Sequence, residues 1–271
     1  MVRLLHAEDL RAVRAVGRVL PEIARAADLA AGALGAGGRL IYVGAGTSGR
    51  LGALDAAECP PTFGTRPSRV VAAIAGGARA LRTAVEGAED DRQGGAARVR
   101  RLRVGPKDLV CGISAGARTP FVLGALEEAR RLGARTALVC STDRPPRRAP
   151  ADLVIAVPTG PELIAGSTRL KAGTATKLVL NAISTAAMVR LGKVYRGRMT
   201  SLRPTNEKLR RRALRTVAEL ASLSPGRSRK LLEAAGGNVA LALAMAFTGR
   251  TSREAAALLR SRGLRDLGRL R

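Results

Sequence analysis

Residues 38–64 read GRLIYVGAGTSGRLGALDAAECPPTFG, and the rest of the chain is most simply read as support for them. Leu40, Ile41, Tyr42 and Val43 form a short apolar run of the kind a strand buried on both faces shows. Gly44, Gly46 and Gly49 follow, with hydroxyls at Thr47 and Ser48. Leu51, Leu54 and Asp55 to Glu58 then have helical character until Pro60-Pro61, which is expected to stop the element. A strand, a glycine turn and a helix place free backbone N–H groups and the positive end of a helix dipole together, a site for an anion and above all for phosphate.

Three phosphate-binding readings compete. The glycines satisfy G-x-G-x-x-G, but a dinucleotide site also wants a carboxylate about 20 positions on, at the end of the second strand. Here that strand, Arg69 to Ala75, runs into Gly76-Gly77-Ala78-Arg79. A nucleotide P-loop fails because no Gly-Lys-Ser/Thr follows the turn. What remains is a phosphate held by Gly46, Thr47, Ser48 and Gly49, with Glu58 on the following helix, and that suggests a sugar phosphate.

Around this stretch the texture alternates. Helical periods cover Glu8 to Leu20 and Glu22 to Leu34, with Pro21 suited to the first turn of the second. Further strands are expected at 70–75, 108–113, 135–140 and 152–157. The acidic run 86–95 is expected to open a helix through Arg101, and Pro120 to Leu132 a further one. Short loops between alternating strands and helices imply an α/β fold, a doubly wound five-stranded parallel sheet covered on both faces. Ligands bind such sheets at the carboxyl ends of the strands. Lys171 to Leu191 is apolar on nearly every side, as a buried or interface helix would be. Short amphipathic helices follow from Thr205, with Thr251 and Glu254 spaced as a capping box. The expected division is N-terminal helices over 1–37, a sugar-phosphate-binding domain over 38–203, and a small helical domain over 204–271.

Composition bounds the partners. The 271 residues are 46% hydrophobic but only 2% aromatic, so the core must be built from Ala, Val, Leu and Ile. Net charge is +26, which raises nucleic acid as a partner. The cations are almost all Arg, spread over helix surfaces, with few aromatics for base stacking, so no specific nucleic-acid binding is expected. Cys59, Cys111 and Cys140 are odd in number and lack metal-ligand spacing, so no disulfide framework and no metal site is indicated. No stretch suggests a signal peptide or membrane span, so a cytoplasmic protein is expected. His6, the single histidine, reads as a surface residue.

The segment VGAGTSGRLGALDAAECPPTFGT resembles the signature of the N-acetylmuramic acid 6-phosphate etherases, a branch of the sugar-isomerase (SIS) fold. AVEGAEDD at 84–91 and GPELIAGSTRLKAGTATKLVLNAISTAAMVRLGKVY at 160–195 match it as well. The resemblance implies cleavage of the lactyl ether of an amino-sugar phosphate, with no cofactor, in a homodimer. It assigns Glu58 as proton donor and Glu89 as its catalytic partner, and allows Glu162 a sugar contact. The apolar neighbours of Glu58 suggest a setting that would keep it protonated. The acidic neighbours of Glu89 equally suit a solvated helix start.

The chain departs from the family in two places. SIS proteins typically carry Ser-x-Ser-Gly-x-Thr in the second phosphate loop; Ser114 and Thr119 remain, but Gly116 and Ala117 replace the middle serine and the glycine. Ala117 would be strained if that position needs a positive φ. Family sequences also usually extend further at the N-terminus. The altered loop leaves room for a sensor that binds sugar phosphates without turnover, whereas retention of both glutamates favours an enzyme. A sugar-phosphate isomerase would share the C2 proton abstraction but need no acid at C3.

Overall fold

The computed structural model describes residues 1–201, 204 and 206–269. They form two compact units, residues 1–58 with 66–187 and residues 59–65 with 188–271. Of the boundary expected between 203 and 204, residue 203 lies outside the described residues.

The first unit is built on five parallel strands, β1 (Leu40–Gly44), β2 (Val70–Ile74), β3 (Leu109–Ile113), β4 (Arg135–Cys140) and β5 (Leu153–Ala156), in the order β2-β1-β3-β4-β5. Every residue of β1 and β3 is buried, which is why these strands read as unbroken apolar runs. Helices flank the sheet: α1 (Val2–Gly17), α2 (Leu20–Gly35), α3 (Gly46–Phe63), α4 (Arg92–Arg101), α5 (Pro120–Arg131) and α6 (Lys171–Arg190). One core cluster joins Ile41, Val43, Val110 and Leu138 of the strands to Val122 and Leu126 of α5. At the amino ends of β1 and β3, Asp108 accepts from the Arg39 backbone N–H at 2.9 Å and pairs with its guanidinium at 2.6 Å. From β1 the chain moves outward to β2, then returns to place β3 on the opposite side of β1. The switch point, where such sheets bind ligands, therefore lies between the carboxyl ends of β1 and β3, where Gly44 pairs with Ile113.

Two local expectations need correction. Pro60-Pro61 does not end α3, which runs through both prolines to Phe63. Each proline leaves the carbonyl four residues back, that of Ala56 or Ala57, without its helical donor, and the last turn continues without those two bonds. The stop is Gly64, in the left-handed region at φ 64°, whose N–H donates to the Pro60 carbonyl at 2.9 Å. The acidic run 86–90 is a turn outside the helix; α4 begins only after Asp91, whose side chain accepts from Gly94 N at 2.7 Å.

The second unit holds a hairpin, β6 (Val194–Tyr195) with β7 (Arg198–Met199), and helices α7 (Glu207–Ala221), α8 (Pro225–Ala234), α9 (Val239–Thr248) and α10 (Ser252–Leu267). Asn206, Ser224, Asn238 and Thr251 each cap one of these helices through a side-chain oxygen. Thr251 and Glu254 form the expected capping box. Val217, Val239, Leu243, Ala255 and Leu267 make a core of aliphatic residues.

Candidate functional site

The first candidate phosphate element is tighter than a glycine loop. Gly46, at φ 50°, both makes the turn and opens α3, so Thr47, Ser48 and Gly49 lie in the helix's first turn. Gly49 N donates to the Ala45 carbonyl at 3.2 Å, whereas the N–H groups of 46–48 have no intrahelical acceptor by position. Gly49 is needed for close packing: a Cβ there would lie 2.5 Å from Ile74 Cγ1 and 2.8 Å from the Gly44 carbonyl oxygen. Gly46 is exposed, and Thr47 and Ser48 are half-buried, so an anion can reach them.

The second element follows β3. Ser114 and Thr119 come together, their hydroxyl oxygens 2.8 Å apart, and Ser114 Oγ also accepts from Thr119 N at 3.3 Å. One hydroxyl donates to the other, which leaves one hydroxyl proton of the pair for a ligand. Ala117 is buried at φ 57°, so the strain expected of an alanine at this position is present. Gly116 is exposed, and a Cβ there would meet nothing within 4 Å.

Glu89 is brought to this second element. Its backbone carbonyl accepts from Phe121 N at 2.9 Å, in the first turn of α5 and two residues beyond Thr119; its side chain is exposed. Glu58 is placed differently. It is twelve residues along α3 from Gly46, about 18 Å at 1.5 Å per residue. Its side chain is exposed, not set in the apolar surroundings suggested by its neighbours. The helical period puts Asp55, Ala56 and Cys59 on the buried face and leaves Ala57 and Glu58 outside.

Glu162 closes the amino end of α6: its two carboxylate oxygens accept from Lys171 N and Ala172 N, each at 3.0 Å. That turn of α6 adjoins the turn at Thr47, since a Cβ at Gly173 would lie 3.7 Å from Thr47 Cγ2. His6 is exposed on α1.

Two groups were missed by sequence reasoning. Asp55, 4% exposed, accepts from Tyr42 Oη at 2.8 Å, Asn181 Nδ2 at 2.7 Å and Ser184 Oγ at 3.0 Å, tying β1, α3 and α6 together. Burial pushes its carboxyl above the usual range, against the three donors, which favour the anion. A visible signal was its place on the same helix face as Cys59. Lys171, 3% exposed, is ion-paired with Glu8 of α1. Among the described residues, no group of three or more His, Cys, Asp or Glu is arranged to hold a metal ion, and no single helix is long and apolar enough to cross a membrane.

Residues 22–130 match a family model described as the glucokinase regulatory protein N-terminal SIS domain. A phosphoheptose isomerase from Francisella tularensis shares the fold, with a TM-score of 0.54 and 19% identity over 69% of this chain and 95% of that one. Relatives at much higher identity are N-acetylmuramic acid 6-phosphate etherases. That of Cutibacterium acnes is 50% identical over 96% of this chain and 85% of its own length. That of Gloeobacter violaceus is 52% identical over 97% and 86%. With half its residues shared along nearly its whole length, the chain belongs to the N-acetylmuramic acid 6-phosphate etherase family.

Proposed function

We propose that this chain cleaves the lactyl ether of N-acetylmuramic acid 6-phosphate, giving N-acetylglucosamine 6-phosphate and lactate. It is an enzyme of the carbon–oxygen lyase class, and the sensor alternative is not favoured. The observation that carries the reading is the meeting, at the β1/β3 switch point, of a helix start with free N–H groups, the Ser114–Thr119 pair and Glu89.

In the open-chain sugar the C1 aldehyde acidifies the C2 proton, and the C3 ether oxygen is a β leaving group. A base removes the C2 proton, the C2–C3 double bond forms and lactate departs with its C–O electron pair, taking a proton from an acid. Water then adds across the double bond at C3, and C2 is reprotonated. Glu58 is assigned as the proton donor and Glu89 as its partner. The phosphate lies against Gly46, Thr47, Ser48 and Gly49 and the hydroxyls of Ser114 and Thr119, with Glu162 holding the α6 turn beside them. The working enzyme is a homodimer. The position of Glu58 supports this: about 18 Å along α3 from the phosphate turn of its own chain, it is better placed to serve a second copy's site. The domain over 38–203 carries the sugar phosphate, with helices before it and the helical region 204–271 after. A phosphorylated sugar does not cross a lipid bilayer unaided, which supports a cytoplasmic location and a small anion, not a nucleic acid or a membrane, as partner.

Lactate released from N-acetylmuramic acid 6-phosphate by the purified protein, and lost in Glu58→Gln and Glu89→Gln, tests this directly. Mixing the two inactive variants under subunit exchange should restore about a quarter of the sites if the glutamates come from different chains. No lactate from the parent protein would end the etherase reading.

A further inference from the structure

Lys171 breaks a local rule. It occupies the first position of α6, where the helix dipole disfavours a cation, and it is buried. Two carboxylates answer for this single turn: Glu162 takes the backbone N–H groups of Lys171 and Ala172, and Glu8 takes the ammonium. A buried ion pair adds little net stability, and α1 already buries Ala12, Ala15 and Val16. Departures of this kind, compensated nearby, mark functional positions.

The position fits a ligand. Lys171 lies two residues before Gly173, whose bare Cα leaves that turn of α6 open to the Thr47 methyl. The first turn of α6, which carries Lys171, therefore adjoins the turn at Thr47. The substrate of the proposed reaction, on which this inference rests, carries a second anion, the carboxylate of its lactyl group. In the free protein a carboxylate already sits on Lys171, and it is the protein's own.

We propose that Lys171 is the seat of the lactyl carboxylate, and that Glu8 holds this seat until the substrate displaces it. The exchange replaces one carboxylate by another, so the buried charge stays balanced. Glu8 keeps a partner when it leaves, because its other oxygen is 2.5 Å from Nη1 of the exposed Arg11. Lys171 then makes the site selective for sugar phosphates that bear the lactyl ether, and the phosphate elements alone bind those that lack it.

The test compares two ligands on the full chain: KM for N-acetylmuramic acid 6-phosphate by lactate release, and Kd for N-acetylglucosamine 6-phosphate, which lacks the lactyl group, by calorimetry. Loss of a hydrogen bond to a charged group is expected to raise KM about 10- to 100-fold in Lys171→Met, with the Kd unchanged. Glu8→Gln removes the competitor and should lower KM, again with the Kd unchanged; it also guards against a folding failure of the lysine variant. Equal weakening of both ligands in Lys171→Met would make Lys171 a phosphate or structural residue and overturn the proposal. So would an unchanged KM in either variant. A parent protein that neither releases lactate nor binds N-acetylglucosamine 6-phosphate would instead defeat the etherase reading itself.

Discussion

Removing the Asp55 carboxylate should separate two things it does, accepting hydrogen bonds and carrying a buried charge. In Asp55→Ala, the hydroxyls of Tyr42 and Ser184, on residues 1% and 3% exposed, lose this acceptor, as does the half-buried Asn181 amide. A buried donor deprived of its partner costs about 1–3 kcal/mol. Three lost acceptors, softened by the second acceptor that Ser184 Oγ keeps in the Asn181 carbonyl at 3.4 Å, by the partial exposure of Asn181 and by relief of the carboxylate's desolvation, come to about 2–5 kcal/mol out of a total stability of about 5–15. For a chain of this size that is a fall in Tm of about 5–15 °C. Asp55→Asn is nearly isosteric, keeps an acceptor for Asn181 and Ser184, and can turn its amide toward the Tyr42 oxygen, so it should stay within about 1.5 kcal/mol of the parent. Because burial raises the Asp55 carboxyl above its ordinary 3.8 in the fold, protonation favours the folded state. Its contribution is fully present below the unfolded value and is lost as pH rises through the folded one. The stability of Asp55→Asn relative to the parent should therefore improve as pH rises from below 3.8. Denaturant melts of the three proteins across pH would show both effects. Asp55→Ala as stable as the parent, or Asp55→Asn as damaged as Asp55→Ala, would refute the reasoning.

The other predictions concern single positions. Gly116→Ser has room for its Cβ and restores a hydroxyl to the second phosphate loop; inorganic phosphate should bind about tenfold tighter by calorimetry, and no change would show that the loop does not touch phosphate. In Ala117→Gly, relief of about 1–2 kcal/mol of left-handed strain is offset by about 0.8 kcal/mol of lost methyl burial and about 0.4–1 kcal/mol of added unfolded-state freedom. The Tm should barely move, and a fall beyond about 10 °C would mean that the alanine has become structurally required. Glu128 is held down to about 2 by Arg131, with Arg100 adding to it. Its contribution is present above 4.5 and lost as pH falls toward 2, so the parent's advantage over Glu128→Gln should shrink through that window in acid melts.

What could be read in the chain beforehand was whatever depended on neighbours in sequence. The strands announced themselves as short apolar runs, most plainly β1 and β3, which are buried throughout, and the Thr251–Glu254 capping box because it acts within three residues. The turn at 44–49 was legible as a candidate anion site because glycines and hydroxyls cluster there, and the loop 114–119 only through the resemblance. The β6–β7 hairpin was not, since its two-residue strands carry no periodicity and its left-handed turn is made by Arg196 and Gly197, without the usual Asn-Gly signal. Pro60-Pro61 misled because a proline's penalty falls on the carbonyl four residues before it and does not by itself end the turn that follows. Glu58 misled because its apolar neighbours share its sequence but not its face. The Asp55 cluster joins residues 126 and 129 positions apart, and no local pattern reports a partner at that range.

The three cysteines give the molecule a set of internal clocks. None forms a disulfide, and all are buried. Burial pushes the Cys111 thiol up to about 12 and the Cys140 thiol up to about 11, so neither is a nucleophile while folded. An alkylating reagent can reach them only when the surrounding structure opens, and each labelling rate then counts openings of one place. Cys111 and Cys140 lie within β3 and β4 of the first unit, and Cys59 belongs to the second. Mass spectrometry of the modified peptides would thus time the breathing of the two units separately, in the unaltered protein.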